Sequence, residues 1–294
     1  MILDNLFTPV GEVFKFKNTL SQSDFDRFAE LSGDNNPIHV DPNFAIGTKF
    51  GRTVAHGMFL YSMICSYLTN LFPETYQISQ ELMFPSPTYA GEEITFSLEV
   101  VGRQIETGLI NLVTNISHQN DELCCQGRAA IVPLSNQLAT IDKFPLDKKS
   151  RPITDQYCKG LKVGQSESAG RIFTRSDLKK YIELTGDNNP LYTDPAYVEK
   201  NGFRDIIVPP GLLGGMISYL LGTKLPGPGT NWLKQTLLIS APSYIDEEVI
   251  ASVELNRIRL DKDLINLSTS CTNKSGDLFV SGEALVLVKD LQAV

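Results

Sequence analysis

At 294 residues the chain is long enough for two domains of ordinary size, each with its own core. Hydrophobic residues make up 42% and charged residues 20%, the balance of a globular protein and not of a disordered one. The net charge of −8, with no Lys/Arg-rich stripe, argues against a nucleic-acid binder.

In chain order, Met1-Ile2-Leu3-Asp4-Asn5 lacks the basic region and apolar stretch of a signal peptide, so none is expected. Ser21-x-x-Asp24 is an N-cap with a carboxylate at the capping-box position. Phe25, Phe28 and Ala29 then give that helix one apolar face at i, i+3, i+4. Next comes Gly33-Asp34-Asn35-Asn36-Pro37-Ile38-His39-Val40-Asp41-Pro42. Pro37 disfavours helical geometry at Asn36, so this segment is expected to be an ordered loop and not a helix start. Gly57 to Leu68 is apolar nearly all round, which predicts a helix buried on most of its surface. It is far short of the roughly 20 residues of a membrane span, and no membrane contact is expected. Ile94, Phe96, Leu98 and Val100 alternate as in a half-buried antiparallel strand, and Asn120-Asp121 marks a later turn.

The same order then repeats. Gly186-Asp187-Asn188-Asn189-Pro190 copies the first pentapeptide at an offset of 187 − 34 = 153 residues, but continues Leu191-Tyr192, with tyrosine where the first copy has His39. Thr174-x-x-Asp177 matches Ser21-x-x-Asp24, and Leu178, Tyr181 and Ile182 match the apolar face. Val249, Ala251, Val253 and Leu255 match the alternating strand. The expected organisation is a domain over residues 1–134, a Pro/Asp/Lys/Ser-rich linker over 135–163 with a short strand near its end, and a second domain over 164–294. A curled antiparallel sheet around one buried helix makes each an α+β domain. Cys65, Cys124, Cys125, Cys158 and Cys271 are odd in number with no C-x-x-C spacing, and read as free thiols of a cytoplasmic protein. On a regular strand Cys124 and Cys125 would face opposite ways. His118, just before a polar turn, reads as an exposed surface residue.

The run Phe28-Ala29-Glu30-Leu31-Ser32 into the first motif, with Phe44-Ala45 after it and His56-Gly57-Met58 opening the apolar helix, closely resembles the signature of the (R)-specific enoyl-CoA hydratases, the MaoC-like or hydratase-2 family. Leu225-Pro226-Gly227-Pro228-Gly229-Thr230 in the second copy is a further match. The resemblance implies two tandem hot-dog domains paired as two subunits pair in single-domain relatives. The chain is then a monomer as a pseudo-dimer, or a homodimer of such chains. It also implies Asp34 and His39 as the catalytic pair that holds and activates a water, with acyl-CoA or acyl-carrier-protein thioesters as substrates and no cofactor.

The spacing suits that chemistry, because a carboxylate and an imidazole turned towards one water supply a general base and a general acid. Asn36 is expected to orient the pair or the water. The backbone N–H of Gly57, at a helix N-terminus, is the candidate donor to the thioester oxygen. His56 is a candidate substrate contact, though a structural role at the helix start is the favoured reading. Ser62 is a weaker candidate. Asp34, Asn36, His39 and Asp41 do not make a Ca²⁺ loop, and no metal is expected. Tyr192 is a poor base, so the second copy is expected to lack the chemistry. Lys49, Arg52, Lys200 and Arg204 are candidates for CoA phosphates, with solvated surface positions the favoured reading. The rival functions are the same reaction on carrier-protein thioesters, a non-catalytic thioester-binding protein and, more weakly, a hot-dog thioesterase.

Overall fold

The computed structural model describes residues 8–136 and 157–291, so the middle of the expected linker, 137–156, lies outside the described residues. The first half runs β1 (Val13–Thr19), α1 (Gln22–Ser32), α2 (Pro37–Val40), α3 (Pro42–Ile46), α4 (Gly57–Leu71), β2 (Thr75–Met83), β3 (Glu93–Gln104), β4 (Leu109–His118) and β5 (Leu123–Pro133). A ribbon of β6 (Tyr157–Cys158) and β7 (Leu161–Lys162) follows. The second half runs β8 (Ser166–Ile172), α5 (Arg175–Thr185), α6 (Pro195–Lys200), α7 (Pro210–Thr223), β9 (Asn231–Ile239), β10 (Glu248–Arg259), β11 (Leu264–Thr272) and β12 (Leu278–Leu287).

Both expected capping boxes form. Ser21 Oγ accepts from Asp24 N–H while the Asp24 carboxylate accepts from Ser21 N–H, and Thr174 with Asp177 repeats this. Each helix stops at its motif glycine, Gly33 (φ 82°) or Gly186 (φ 73°), in the left-handed region where a side chain would be strained. The motif is not the loop expected. Asn36 is extended, as the following proline requires, but Pro37 itself starts the one-turn helix α2, with the Asn36 side chain accepting from Ile38 N–H. Proline suits the first turn because its missing N–H would have no partner there.

Ten strands form one antiparallel sheet in the order β1-β3-β4-β5-β2-β9-β12-β11-β10-β8, five from each half. The halves join where β2 pairs with β9, from Ser79 opposite Leu238 to Met83 opposite Lys234. Buried glutamines repeat across this seam: Gln80 Nε2 donates to Thr114 Oγ1 at 3.0 Å, and Gln235 Nε2 to Thr269 Oγ1 at 2.9 Å. Along the edge strand β1 the exposed Lys15 and Lys17 discourage further pairing.

The sheet curls around α4 and α7. Ten of the fifteen residues of α4 are buried, as its all-round apolarity demands. Phe59 of α4 and Phe25, Phe28 and Phe96 around it are buried almost completely, each contributing about 1.5–3 kcal/mol by leaving water. The two central helices meet closely because α7 carries small residues. A Cβ on Gly214 would lie 2.8 Å from Met58 Sδ, and one on Gly215 2.9 Å from Ser32 Cβ. This is the tandem hot-dog pair the resemblance implied.

Candidate active site

One cavity of about 520 Å³ lies between the halves. Asp34 and Ser218, both buried, line its deep part, whereas Lys49 and Asp290, about half exposed, line its open end. Its walls include Leu60, Phe84, Leu221 and Trp232.

The cap at Gly33 turns the chain so that Asp34 points inwards, and the single turn of α2 brings His39 to face it. Asp34 Oδ2 and His39 Nε2 are 4.0 Å apart, too far for a direct hydrogen bond. His39 Nδ1 is 2.7 Å from the carbonyl oxygen of Val54. A carbonyl only accepts, so Nδ1 carries a hydrogen and Nε2 is the ring nitrogen turned towards Asp34. Burial pushes the Asp34 carboxyl above the usual carboxylate range, while the His39 charge, the Ser218 hydroxyl and the Asn36 N–H pull it down. Opposed influences suit a group that must both hold and release a proton.

The second half completes this arrangement. Ser218 Oγ, from α7, donates to Asp34 Oδ2 at 2.6 Å. Asn36 Nδ2 donates to the carbonyl of Gly222 at 3.0 Å. A Cβ on Gly222 would sit 2.9 Å from Asp34 Oδ1, so only glycine leaves the carboxylate its place. Sequence reasoning missed both Ser218 and Gly222. Gly211, Gly214, Gly215, Ser218 and Gly222 recur at three- and four-residue steps along one face of an otherwise apolar helix, and that stripe was the available signal.

The other candidates divide. Asn36 and Gly57 line the cavity. Gly57 opens α4 and its N–H has no partner among the described residues; a Cβ there would meet Phe84 Cζ at 2.7 Å. His56 does not line the cavity. Its ring is fully buried behind His39, with centroids 3.8 Å apart and planes at 29°, and its Nε2 donates to the Asp34 carbonyl at 2.9 Å. Burial, then the His39 charge, holds its pKa well below the usual imidazole range, so it is a neutral support. Ser62 also lies away from the cavity: its hydroxyl donates to the Met58 carbonyl, and it faces Gly211 of α7.

Asp34, His39 and His56 bring ligand-type atoms within 4.8 Å of one another. The two rings are stacked, however, so their in-plane lone pairs run side by side and do not converge on one ion.

His118 is not on the surface as expected. Its side chain is only 15% exposed, with Nε2 3.2 Å from Ser86 Oγ and Nδ1 3.6 Å from Glu92. The Ser86 hydroxyl also donates to the Leu123 carbonyl and Arg52 holds Glu92, so this chain clamps the cavity wall. A bulge opposite Ile116 and Ser117 leaves Cys124 as the extra residue of β5, and Cys124 lines the cavity. Arg52 and Arg204 are held by Glu92 and Glu247 and lie over Tyr89 and Tyr244 at 4.1 and 4.0 Å; neither they nor Lys200 line the cavity.

The corresponding place in the second motif is closed. Asp187 and Tyr192 are buried beside a cavity of only about 30 Å³ lined by Tyr192, Asn189, Thr69 and Cys65. Neither carboxylate oxygen of Asp187 has a hydrogen-bond partner among the described residues. Burial pushes its pKa to about 7, with the nearby Thr69 hydroxyl and Asn189 backbone only partly opposing.

A family model described as the MaoC like domain matches residues 6–121, and one described as the FAS1-like dehydratase domain region matches residues 163–280. The (R)-specific enoyl-CoA hydratase of Aeromonas caviae is 37% identical over 126 residues, covering 43% of this chain and 94% of that protein. A mitochondrial 3-hydroxyacyl-acyl-carrier-protein dehydratase of Solanum lycopersicum is 34% identical over 133 residues, covering 45% of this chain and 79% of its own length. Among solved structures, a MaoC-like dehydratase superposes with a TM-score of 0.77 at 15% identity, over 96% of this chain and 99% of its own. A Mycobacterium tuberculosis protein with a double hot-dog fold gives 0.71 at 15% identity, over 96% and 97%. The last two are likenesses of fold.

Proposed function

Because this chain belongs to the MaoC-like dehydratase family, we propose that it is a hydro-lyase interconverting trans-2-enoyl and (3R)-hydroxyacyl thioesters at Asp34 and His39. The observation that carries this reading is the pair itself, 4.0 Å apart deep in a cavity of about 520 Å³, while the second motif borders a cavity too small for an acyl chain.

The working pair holds one proton. In hydration the Asp34 carboxylate takes a proton from the water adding to C3, and His39 Nε2 gives one to C2. The pair then stands in its other one-proton state, neutral acid and neutral imidazole, and resets by proton exchange with solvent. The Gly57 N–H, at the positive end of α4, donates to the thioester oxygen as charge develops there. Ser218 and Asn36 hold the carboxylate in its aim.

Crotonyl-CoA hydration, followed by loss of the enoyl-thioester absorbance, tests this. Asp34→Asn and His39→Ala should each lose about 10²–10⁴-fold in kcat, and Tyr192→Phe should stay within a few-fold of wild type. Full activity in either of the first two variants would overturn the assignment. A wild type inert on enoyl-CoA and enoyl-carrier-protein alike would instead favour a binding role.

A cytoplasmic location belongs to the same proposal. All five cysteines are unpaired, as in a reducing compartment, and no helix among the described residues is long and apolar enough to cross a membrane. One chain supplies both halves of the hot-dog pair, so a monomer suffices for catalysis.

A further inference from the structure

We propose that the Thr88 hydroxyl is a second hydrogen-bond donor to the thioester oxygen, acting with the Gly57 N–H; this rests on the thioester reading above and adds a catalytic residue to it.

An oxygen that gains charge as water adds to C3 has more than one lone pair to satisfy, and a single N–H answers only one of them. The cavity offers another donor. Thr88, on the segment between β2 and β3, lines the cavity and is 3% exposed, yet its Oγ1 has no hydrogen-bond partner among the described residues. A buried hydroxyl is costly to leave unpaired, and a substrate oxygen arriving in the cavity removes that cost. The Cys124 thiol beside it makes a poor partner. It gives its own hydrogen to the Ile116 carbonyl at 3.4 Å, and its sulfur is a weak acceptor.

Backbone pairing brings the two donors together. Val54 and Tyr89 form an antiparallel bridge, and the Ala55 N–H donates to the Thr88 carbonyl at 2.8 Å. Residues opposite each other in such a pair share a face, so Thr88 stands beside Ala55, and Gly57, two residues on, falls on the same face. The cavity wall agrees: Ala55, Gly57 and Thr88 line it, whereas His56 turns away behind His39. Diagonal neighbours across such a pair lie roughly 7–8 Å apart. The Gly57 N–H, on the Ala55 side of its residue, and the Thr88 hydroxyl, reaching out from its Cβ, narrow that gap to the span of two donors on one oxygen. The small Ala55 methyl leaves the oxygen room between them.

The same extended segment holds the catalytic imidazole. Val54 N–H donates to the Ile38 carbonyl at 3.1 Å, and the Val54 carbonyl is 2.7 Å from His39 Nδ1. His39 and Thr88 therefore flank one strand, which sets the proton-transfer group and the oxygen-binding group at a fixed separation.

The second half supplies an internal control. Val208 N–H donates to the Ser243 carbonyl at 2.8 Å, so Ser243 stands where Thr88 does, and its hydroxyl is also unpartnered among the described residues. Pro210, however, opens α7 where Gly57 opens α4, and proline has no N–H to donate. Ser243 lines neither of the two cavities described above.

Steady-state hydration of crotonyl-CoA would be compared in wild type, Thr88→Val, Thr88→Ser and Ser243→Ala. Thr88→Val keeps the shape and removes the hydroxyl, and should lose on the order of 10²-fold in kcat with KM within a few-fold. Thr88→Ser should recover most of that loss, and Ser243→Ala should match wild type. Crotonyl-CoA isotope-labelled at the thioester carbonyl would then be bound to Asp34→Asn, and its carbonyl stretch read by difference infrared spectroscopy. Adding Thr88→Val should raise that frequency, because one donor polarises the bond less than two; a change in packing alone would leave it in place.

An unchanged kcat in Thr88→Val, or a carbonyl stretch that does not move, would overturn the proposal. A wild type that binds crotonyl-CoA without hydrating it would sink the hydro-lyase reading, while the stretch in wild type and Thr88→Val would still decide on Thr88. If no enoyl thioester binds, both fail.

Discussion

Asp34 is held at a balance point. Burial raises its pKa and three neighbours lower it, so losing one neighbour should be visible in the pH dependence. The Ser218 hydroxyl, 2.6 Å from Oδ2, stabilises the charged form. Ser218→Ala removes that support, so the carboxyl becomes harder to ionise and the acidic limb of kcat should move to higher pH. A hydrogen bond to a charged group contributes about 1.5–3 kcal/mol, enough for the move to be seen. At pH 7 the variant should be slower by about 10-fold with little change in KM. An acidic limb left where it was would show that Ser218 does not act through Asp34. The motif residues themselves were legible in the sequence, because Asp34, Asn36 and His39 lie within six positions and the run around them resembles a known signature. Ser218 and Gly222 were not, since they reach the motif from 184 and 186 residues away. Sequence favours a structural role for His56 over a substrate contact, and packing puts it behind His39, outside the cavity.

At the scale of elements, the two motif turns start alike and then diverge. Both begin at a glycine cap and pass through an Asn-Pro step, but the first continues as α2 and the second as a single 3₁₀ turn at Pro190–Tyr192. Their neighbouring helices differ at the matching places: α7 presents Ser218 and Gly222 to Asp34, where α4 presents Cys65 and Thr69 to Asp187. Cys65 gives its thiol to Gln77, leaving Asp187 buried without a hydrogen-bond partner. Its pKa, raised from 3.8 to about 7, means that the folded state binds this proton more tightly than the unfolded chain does. Rising pH therefore destabilises the fold through this group from about pH 4, and the loss is complete above about pH 7. Asp187→Asn carries no such charge. Its stability relative to wild type should improve by about 2–3 kcal/mol between pH 5 and pH 8. Denaturant unfolding at the two pH values measures this, and an equal difference at both would rule out a buried, proton-bearing Asp187. The repeat predicted the second turn's existence. It did not predict the unpaired acid, because an absent partner leaves no trace in spacing.

For the whole molecule, duplication was readable from the offset copies, and the ten-stranded sheet follows once each half must cover its own helix. The order in which the halves join was not readable, since strands β2 and β9 alternate no differently from their neighbours. The join matters for activity. The cavity takes Asp34 and His39 from one half and Ser218, Gly222 and Trp232 from the other, so neither half contains a complete site. A fragment of residues 1–136 should show no measurable crotonyl-CoA hydration, and co-expression with residues 157–294 should restore it. An active first fragment would mean that the site needs nothing from its partner, or that two such fragments replace the original pairing. The way Gly222 fits against the carboxylate has a bearing on how related chains are to be judged. A two-copy homologue that keeps every letter of the first motif but carries a bulky side chain at that helix position would be inert. One with a worn first motif could not be rescued by a perfect second helix. The diagnostic word for activity in such chains is therefore split, with one syllable near position 34 and the other near position 222, and it has to be read across both.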